Sequence, residues 1–247
     1  MGVVLIAGGA TGIGLAAMRA LRERGDSVFL ADRNAELAQR AAAEVLPGRA
    51  TAFTADVGQV DAVTACVAAC ADAYGAIDTV FVNAGMLKSM PLDAWTAEDW
   101  DASLAVNLRA PFFFAQAAAP HLKQSGNGSL LFTSSTGALR GHAGMPAYHA
   151  SKAGLIGLVR SLADELSPSG IRVNCICPGW IDTPFNQPFW SFQADARAAL
   201  EELTARIPMR RQGTPDDVTG LILFLTSPEA RYITGTSMVI DGGYTAV

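Results

Sequence analysis

The sequence predicts one α/β domain: a mostly parallel sheet with helices on both faces, doubly wound in the Rossmann-like manner, spanning residues 1–247. Three observations carry this expectation. Short runs rich in Val, Ile, Leu and Phe alternate with helix-periodic stretches along the whole 247-residue chain, and strand–helix alternation builds parallel sheets. The apolar runs are continuous rather than alternating with polar residues, as in strands buried on both faces. No linker, low-complexity run or fixed-period repeat divides the chain, and about 250 residues is an ordinary size for one α/β domain.

Taken in order, Val3–Ala7 is the first such run and ends in glycines. A helical pattern follows to about Arg24, and 27–31 reads as the next strand. Asn34 suits the N-cap of a helix through about Val45, because its side chain can accept a free N–H of the first turn. A third strand is expected over 51–55, a helix over 61–74 and a fourth strand over 77–82. The stretch 98–123 reads as helix although it carries Pro111 and Pro120. Strands over 129–134 and 172–177 flank a long helix over 147–166. After an irregular stretch, Thr214-Pro215-Asp216-Asp217 has the order of a helix start: cap, proline, then acids in the first turn. Val218, Leu221, Ile222 and Leu225 mark one face of that helix. A last short strand is expected near 238–240.

Composition removes several function classes. Half the residues are hydrophobic and 17% are charged, the reverse of a disordered chain. The net charge is −5 with no basic patch, which argues against nucleic acid as a partner. Apolar runs such as 221–225 are far shorter than the roughly 20 residues that span a membrane. Val3–Ala7 has no basic flank and is too short for a secretory signal, so a cytoplasmic location is expected. Cys66 and Cys70 stand one helical turn apart, and Cys175 and Cys177 alternate along a strand. Zinc sites more often use C-x-x-C pairs or nearby His. Reduced, buried thiols and no metal are expected.

Strand ends are where such sheets bind ligands. The first strand runs into Ala7-Gly8-Gly9-Ala10-Thr11-Gly12-Ile13-Gly14. Glycines allow a sharp turn and close approach of a ligand, and the helix that opens there offers free N–H groups to a pyrophosphate. A purely structural turn also uses glycines. Leu15 stands where a nucleotide-hydrolase loop needs Lys. Asp32 ends the second strand, 18 residues after Gly14. A carboxylate there accepts hydrogen bonds from an adenosine ribose and repels a 2′-phosphate; the plainer alternative is a helix-capping acid. Arg33 pulls the other way, since a cation can hold a 2′-phosphate.

Tyr148 and Lys152 stand four apart on the expected long helix and share a face. A free tyrosine, with pKa about 10, is a poor acid–base group at neutral pH. A lysine cation about 4 Å away gives about 4 kcal/mol gross, or about three pK units downward. Ser135 follows the fifth strand and is placed to hydrogen-bond a substrate oxygen. Pro111 lies four residues after Asn107. It has no N–H, so the Asn107 carbonyl loses its helical partner and can hold an ordered water; a packing kink is the other reading.

Together these residues resemble the short-chain dehydrogenase/reductase family over essentially the whole chain. The glycine turn, with Gly8, Thr11, Gly12, Ile13 and Gly14, is similar to the family's T-G-x-x-x-G-x-G, with Ala7 in place of Thr. Asp56-Val57 resembles its adenine-contacting D-V. Asn83-Ala84-Gly85 resembles the end of its N-N-A-G, with Val82 in place of the first Asn. Asn107, Ser135, Tyr148 and Lys152 match its catalytic tetrad. Pro178-Gly179, Ile181 and Thr183 resemble the P-G-x-I-x-T segment that meets the nicotinamide carboxamide, and 239–243 resembles its V-x-D-G-G. The resemblance implies an NAD-dependent oxidoreductase acting on a small-molecule secondary alcohol or ketone. Tyr148 would be the general acid/base and Ser135 would position the oxygen. Lys152 would lower the Tyr pKa and hold the ribose, and Asn107 would anchor a relay water. It also implies a homotetramer, to which the small residues Ala150, Ala153, Gly154 and Gly157 are suited.

Four aromatics, Phe185, Phe189, Trp190 and Phe192, fall within eight residues against 8% overall. A substrate lid over about 184–213 is expected from them, with packing on the domain body as the alternative. Met86, Met90 and Met145 are candidates for an apolar pocket. Lys88, Arg140 and His142 are candidates for meeting an acidic or polyol substrate, or for being solvated loop charges. The rival function is a catalytically silent, NAD-sensing interaction protein. A sugar-nucleotide lyase or epimerase is a second rival, though the family's members of that kind are longer.

Overall fold

Seven parallel strands form the centre of the molecule, in the order β3-β2-β1-β4-β5-β6-β7. The computed structural model describes residues 2–44 and 50–247. The strands are β1 Val3–Ala7, β2 Ser27–Asp32, β3 Ala50–Thr54, β4 Thr79–Val82, β5 Ser129–Thr133, β6 Arg172–Pro178 and β7 Ser237–Ile240. The helices are α1 Gly12–Arg24, α2 Ala35–Ala43, α3 Val60–Tyr74, α4 Ala97–Leu104, α5 Ala110–Ser125, α6 Pro146–Leu166, α7 Gln187–Phe192, α8 Ala196–Arg206 and α9 Pro215–Leu225.

The continuous apolar runs follow from this architecture. In β1, Leu5 and Ala7 face a core shared with α3, α5 and α6, while Val4 and Ile6 face a second core shared with α1, α2 and α9. Val80 and Val82 of β4 go to the first core, and Phe81 goes to the second. With both faces covered, these strands are apolar along almost their whole length, the buried Thr79 of β4 being the exception. The edge strand β3 is only part-buried, with Thr51 and Thr54 exposed. At the other edge, Val239 of β7 is exposed. Strand order reverses between β1 and β4, which opens a crevice at their carboxyl ends.

Four expectations are revised. The third strand lies one residue earlier, at Ala50–Thr54. The second helix ends at Ala43 with Glu44 as C-cap; Val45 lies outside the described residues. The stretch read as one helix over 98–123 is two helices joined through a π-turn, Ala105–Arg109, in which the Ala110 N–H reaches back to the Ala105 carbonyl. Pro111 cannot donate to Asn107, and the backbone widens just before it. The irregular reading fails over 184–206 and holds over 207–213. A 3-10 turn, Pro184–Asn186, leads into α7 and α8, and Asp195 caps α8 by accepting from the N–H groups of Arg197 and Ala198. All four cysteines are buried free thiols. No helix among the described residues is long and apolar enough to cross a membrane.

Candidate active site

A cleft of about 670 Å³ follows the carboxyl ends of the strands. At one end lies the glycine turn. Gly8 and Gly12 have φ of +78° and +53°, which favour glycine. A Cβ on Gly14 would sit 2.1 Å from the Gly8 carbonyl oxygen, so α1 can start against the turn only with hydrogen there. Thr11, the N-cap of α1, makes no side-chain cap bond, and the first turn holds no acid. The leading N–H groups of α1 are therefore left without a side-chain acceptor. Thr11, Gly12 and Ile13 line the cleft. An uncapped helix start beside a close backbone approach suits a pyrophosphate.

Asp32, at the end of β2, also lines the cleft with exposed Arg33. Its two carboxylate oxygens each accept one backbone N–H, from Ala10 at 3.1 Å and from Asn34 at 3.1 Å. Each oxygen keeps a lone pair for a ligand hydroxyl. Asp56 and Val57 after β3, and Ala84 and Gly85 after β4, complete this wall. Asp56 braces its own turn by accepting the Gly58 N–H at 3.0 Å. Thr183 approaches the turn from β6, with its Cγ2 3.1 Å from where a Gly12 Cβ would lie. Pro178, Gly179 and Ile181 line the cleft between them.

A chain of hydrogen bonds connects the glycine turn to Lys152. The Asn83 amide donates to the Gly8 carbonyl at 2.7 Å, and Asn83 Oδ1 accepts from Thr133 Oγ1 at 3.0 Å. The Thr133 carbonyl accepts from Lys152 Nζ at 2.7 Å. The replacements Ala7 and Val82 are both buried in the first core, so the two departures from the family pattern fall on packing positions.

Ser135, Tyr148 and Lys152 all line the cleft. Ser135 begins a 3-10 turn after β5, its Oγ accepting the Gly137 N–H at 2.9 Å. Tyr148 and Lys152 come from the first turns of α6, with Lys152 Nζ 5.8 Å from the Tyr148 ring centroid. Burial pushes the Tyr148 phenol up to about 12, with its hydrogen bond to Ser135 pulling the other way. Burial pulls the Lys152 ammonium down to about 8. The downward Tyr148 shift expected from Lys152 is thus corrected. The penalty for burying a phenolate outweighs an ammonium that is committed to the Thr133 carbonyl.

Asn107 sits in the π-turn and is fully buried. Its amide clamps the chain after β4: Oδ1 accepts from the Met86 N–H at 2.7 Å, and Nδ2 donates to the Met86 carbonyl at 2.8 Å. Nδ2 also lies 3.1 Å from Ser151 Oγ. The side chain is a brace for the Met86 wall.

The other end of the cleft is lined by Met86, Leu87, Gly137, His142, Met145, Trp180 and Phe185, while Met90 is not part of it. Lys88 is ion-paired with Asp99. Arg140 donates to the Tyr244 carbonyl at 2.7 Å and lies 4.5 Å over its ring. Of the aromatic run, Phe185 lines the cleft and lies 6.0 Å from the Tyr148 ring. Phe189 packs behind it on Leu87, Met145 and Tyr148. Trp190 packs on Trp180, Leu203, Ile207 and Tyr244. Sequence reasoning missed His149, Trp180 and Tyr244. His149 clips the loop after β5 to α6, with Nδ1 2.7 Å from the Gly137 carbonyl and Nε2 accepting the His142 N–H at 2.9 Å. The signal available was position alone: His149 is next to Tyr148, Trp180 lies inside the 178–183 motif, and Tyr244 follows the 239–243 motif.

Comparisons with known proteins agree with the fold. The family profile described as Enoyl-(Acyl carrier protein) reductase matches residues 8–245. The probable galactose dehydrogenase GalD of Rhizobium meliloti is 39% identical over 245 residues, covering 97% of this chain and 93% of that protein. The crystal structure of levodione reductase superposes with a TM-score of 0.94 at 33% identity, covering 99% of this chain and 98% of the other. The 3-ketoacyl-(acyl-carrier-protein) reductase of Brucella melitensis, crystallised with NADH, gives 0.90 at 31% identity and covers 98% of each chain.

Proposed function

Because the chain belongs to the short-chain dehydrogenase/reductase family of oxidoreductases, we propose that it interconverts a secondary alcohol and its ketone with NAD(H). The observation that carries this reading is the meeting of two groups of residues in one cleft: the uncapped glycine turn with Asp32, and the Ser135–Tyr148–Lys152 set. The first group fits a dinucleotide. Gly8, Thr11, Gly12, Ile13 and Gly14 would hold its pyrophosphate, and Asp32 its adenosine ribose, beside Arg33. Asp56 and Val57 would border the adenine; Asn83, Ala84 and Gly85 would line the path to the nicotinamide. Pro178, Gly179, Ile181 and Thr183 would face its carboxamide. Bound NAD(H) would supply the hydride acceptor in oxidation and the donor in reduction.

The chain's own residues handle the oxygen and its proton. The Ser135 hydroxyl, braced by the Gly137 N–H, is placed to hydrogen-bond the substrate oxygen. In reduction the Tyr148 phenol gives its proton to that oxygen as the carbon gains hydride; in oxidation both transfers reverse. Lys152 keeps two N–H donors after its bond to Thr133, enough for the ribose hydroxyls. A nearby cation favours the phenolate. The Asn107 carbonyl, denied a partner by Pro111, is suited to hold the water that returns the proton to Lys152.

The test follows NADH absorbance across a panel of secondary alcohols and ketones. Tyr148→Phe should lose about 10²–10⁴ in turnover, as expected for removal of a general acid–base group, while binding NADH with parent affinity. Near-native turnover in that variant would sink the assignment, and no turnover by the parent would favour the NAD-sensing rival. We also propose a homotetramer in the cytoplasm. Exposed Phe112 and Phe224, and a second depression lined by Leu104, Leu108, Phe112 and Leu158, support assembly. The buried free thiols suit a reducing compartment. A one-chain mass by light scattering would refute the assembly.

A further inference from the structure

Apart from Lys152, which serves Tyr148, the described residues at the substrate end of the cleft offer no charge to a ligand. Of the charged cleft-lining residues, Asp32, Arg33, Asp56, Asp101 and Arg109 belong to β2, the turns that follow β2 and β3, and the α4–π-turn segment, and Lys152 beside Tyr148 is bonded to the Thr133 carbonyl. Arg109 is bonded to the Gly58 carbonyl at 2.8 Å, beside Asp56. Lys88 and Arg140 do not line the cleft and are committed to Asp99 and Tyr244. Around Tyr148 the walls are Met86, Leu87, Met145, Trp180 and Phe185. Flat faces of this kind suit a ring.

One polar side chain of this wall has a spare valence. His142 lines the cleft, stacked on Tyr244 at 6.2 Å and edge-on to Trp180 at 5.3 Å. Its Nε2 lies 3.4 Å from Tyr244 Oη, and its backbone N–H goes to His149. Its Nδ1 has no hydrogen-bond partner among the described residues. Burial, together with His149, Arg140 and Arg206, holds the imidazole down to about 4. The ring is therefore neutral at pH 7, with one nitrogen a donor and the other an acceptor.

Resting on the oxidoreductase reading above, we propose that the substrate is an uncharged ring ketone or alcohol with a second oxygen remote from the reacting carbon. His142 Nδ1 recognises that oxygen and so determines specificity. A sugar acid, acyl-phosphate or amine would bring a charge into this wall, and the one ammonium that lines the cleft, Lys152, is committed to the Thr133 carbonyl. A ring with one oxygen would leave Nδ1 unpaired.

The experiment compares cyclohexanone, 4-hydroxycyclohexanone and 4-oxocyclohexanecarboxylate. Turnover with NADH gives kcat/KM. Tryptophan fluorescence of the NAD-loaded protein, reporting through Trp180, gives Kd whether or not turnover occurs. The hydroxyketone should exceed cyclohexanone by about three- to tenfold, the worth of one neutral hydrogen bond. The carboxylate should fall below both by about a hundredfold. His142→Phe should collapse the hydroxyketone advantage, and His142→Gln, which restores a neutral hydrogen-bonding group, should recover part of it. Melting curves confirm that both variants are folded. Preference for the carboxylate, failure of any ring to bind, or an advantage unchanged in His142→Phe would each overturn the proposal. Rings that bind in the expected order without turnover would instead remove the oxidoreductase reading and leave the His142 role standing.

Discussion

Replacing Asp32 with Ser should convert a cofactor preference into near indifference. The Asp32 carboxylate lines the cleft and meets two backbone N–H groups, each at 3.1 Å. Those bonds hold the carboxylate in place but do not exhaust its lone pairs, so ribose hydroxyls have acceptors waiting. A 2′-phosphate brought to about 4–5 Å faces gross repulsion of about 3–4 kcal/mol per unit charge at an effective dielectric of about 20. Solvent and salt reduce this at an open ribose site, and Arg33, exposed beside it, offsets part of the remainder. A net preference for NAD of about 10–100-fold survives, or about 1.4–2.7 kcal/mol. Serine removes the charge and leaves Arg33 in place, so the ratio should narrow towards one or invert. The same change loosens the Ala10 N–H, which costs stability. The readout is therefore the ratio of kcat/KM for the two cofactors with one substrate, in which a common loss cancels. Equal use of NADP by the parent would show that Arg33 dominates the pocket, and an unchanged ratio in the variant would show that Asp32 only braces the turn.

Lys152→Met should abolish turnover yet raise the melting temperature, more at pH 7 than at pH 10. The folded-state pKa is pulled from 10.5 to about 8, so the burial cost of the ammonium is full below pH 8 and fades as pH rises to 10.5; a stabilisation independent of pH would contradict this. Phe185→Ala should raise KM with little loss of stability, whereas Trp190→Ala, which opens the cluster with Trp180, Leu203 and Tyr244, should cost about 2–4 kcal/mol and leave KM near its parent value. The opposite split would restore the lid to Trp190.

The sequence made most of the sheet legible because both faces of it are buried. Leu5 and Ala7 on one side and Val4 and Ile6 on the other leave no room for a polar residue, and such runs stand out. The motifs at the strand ends were equally plain, since Gly8 and Gly14 are demanded by backbone approach. What stayed hidden depends on distant partners. Residues 184–206 carry Pro184, Pro188 and a dense set of aromatics that imitate an irregular loop. The cap at Asp195 and the run Ala196–Arg206 fit a helix by local pattern, yet they follow a stretch whose prolines break helical periodicity. Phe185 and Trp190 are separated by only one helical turn, and only tertiary packing decides which of them meets the cleft. The wall made by His142, His149, Trp180 and Tyr244 joins four separate points of the chain. Desolvation is likewise a property of the fold, so the upward push on the Tyr148 phenol does not follow from its spacing to Lys152.

That shift changes how the site has to work. Burial favours the neutral phenol and also the neutral amine, so the Tyr148–Lys152 pair resists separating charge inside the protein. A phenol held near 12 is fully protonated at neutral pH. It is ready to give a proton to a ketone oxygen and reluctant to take one from an alcohol. On the proposed reading, oxidation would draw on the phenolate and should quicken as pH rises. Lys152 opposes that trend once it begins to lose its charge near 8. Its bond to the Thr133 carbonyl links it through Thr133 and Asn83 to the Gly8 carbonyl. Whatever settles in the glycine turn bears on the same hydrogen-bonded chain that fixes the ammonium beside Tyr148. On the proposed reading, cofactor contact and proton transfer would be joined through three side chains and two carbonyls.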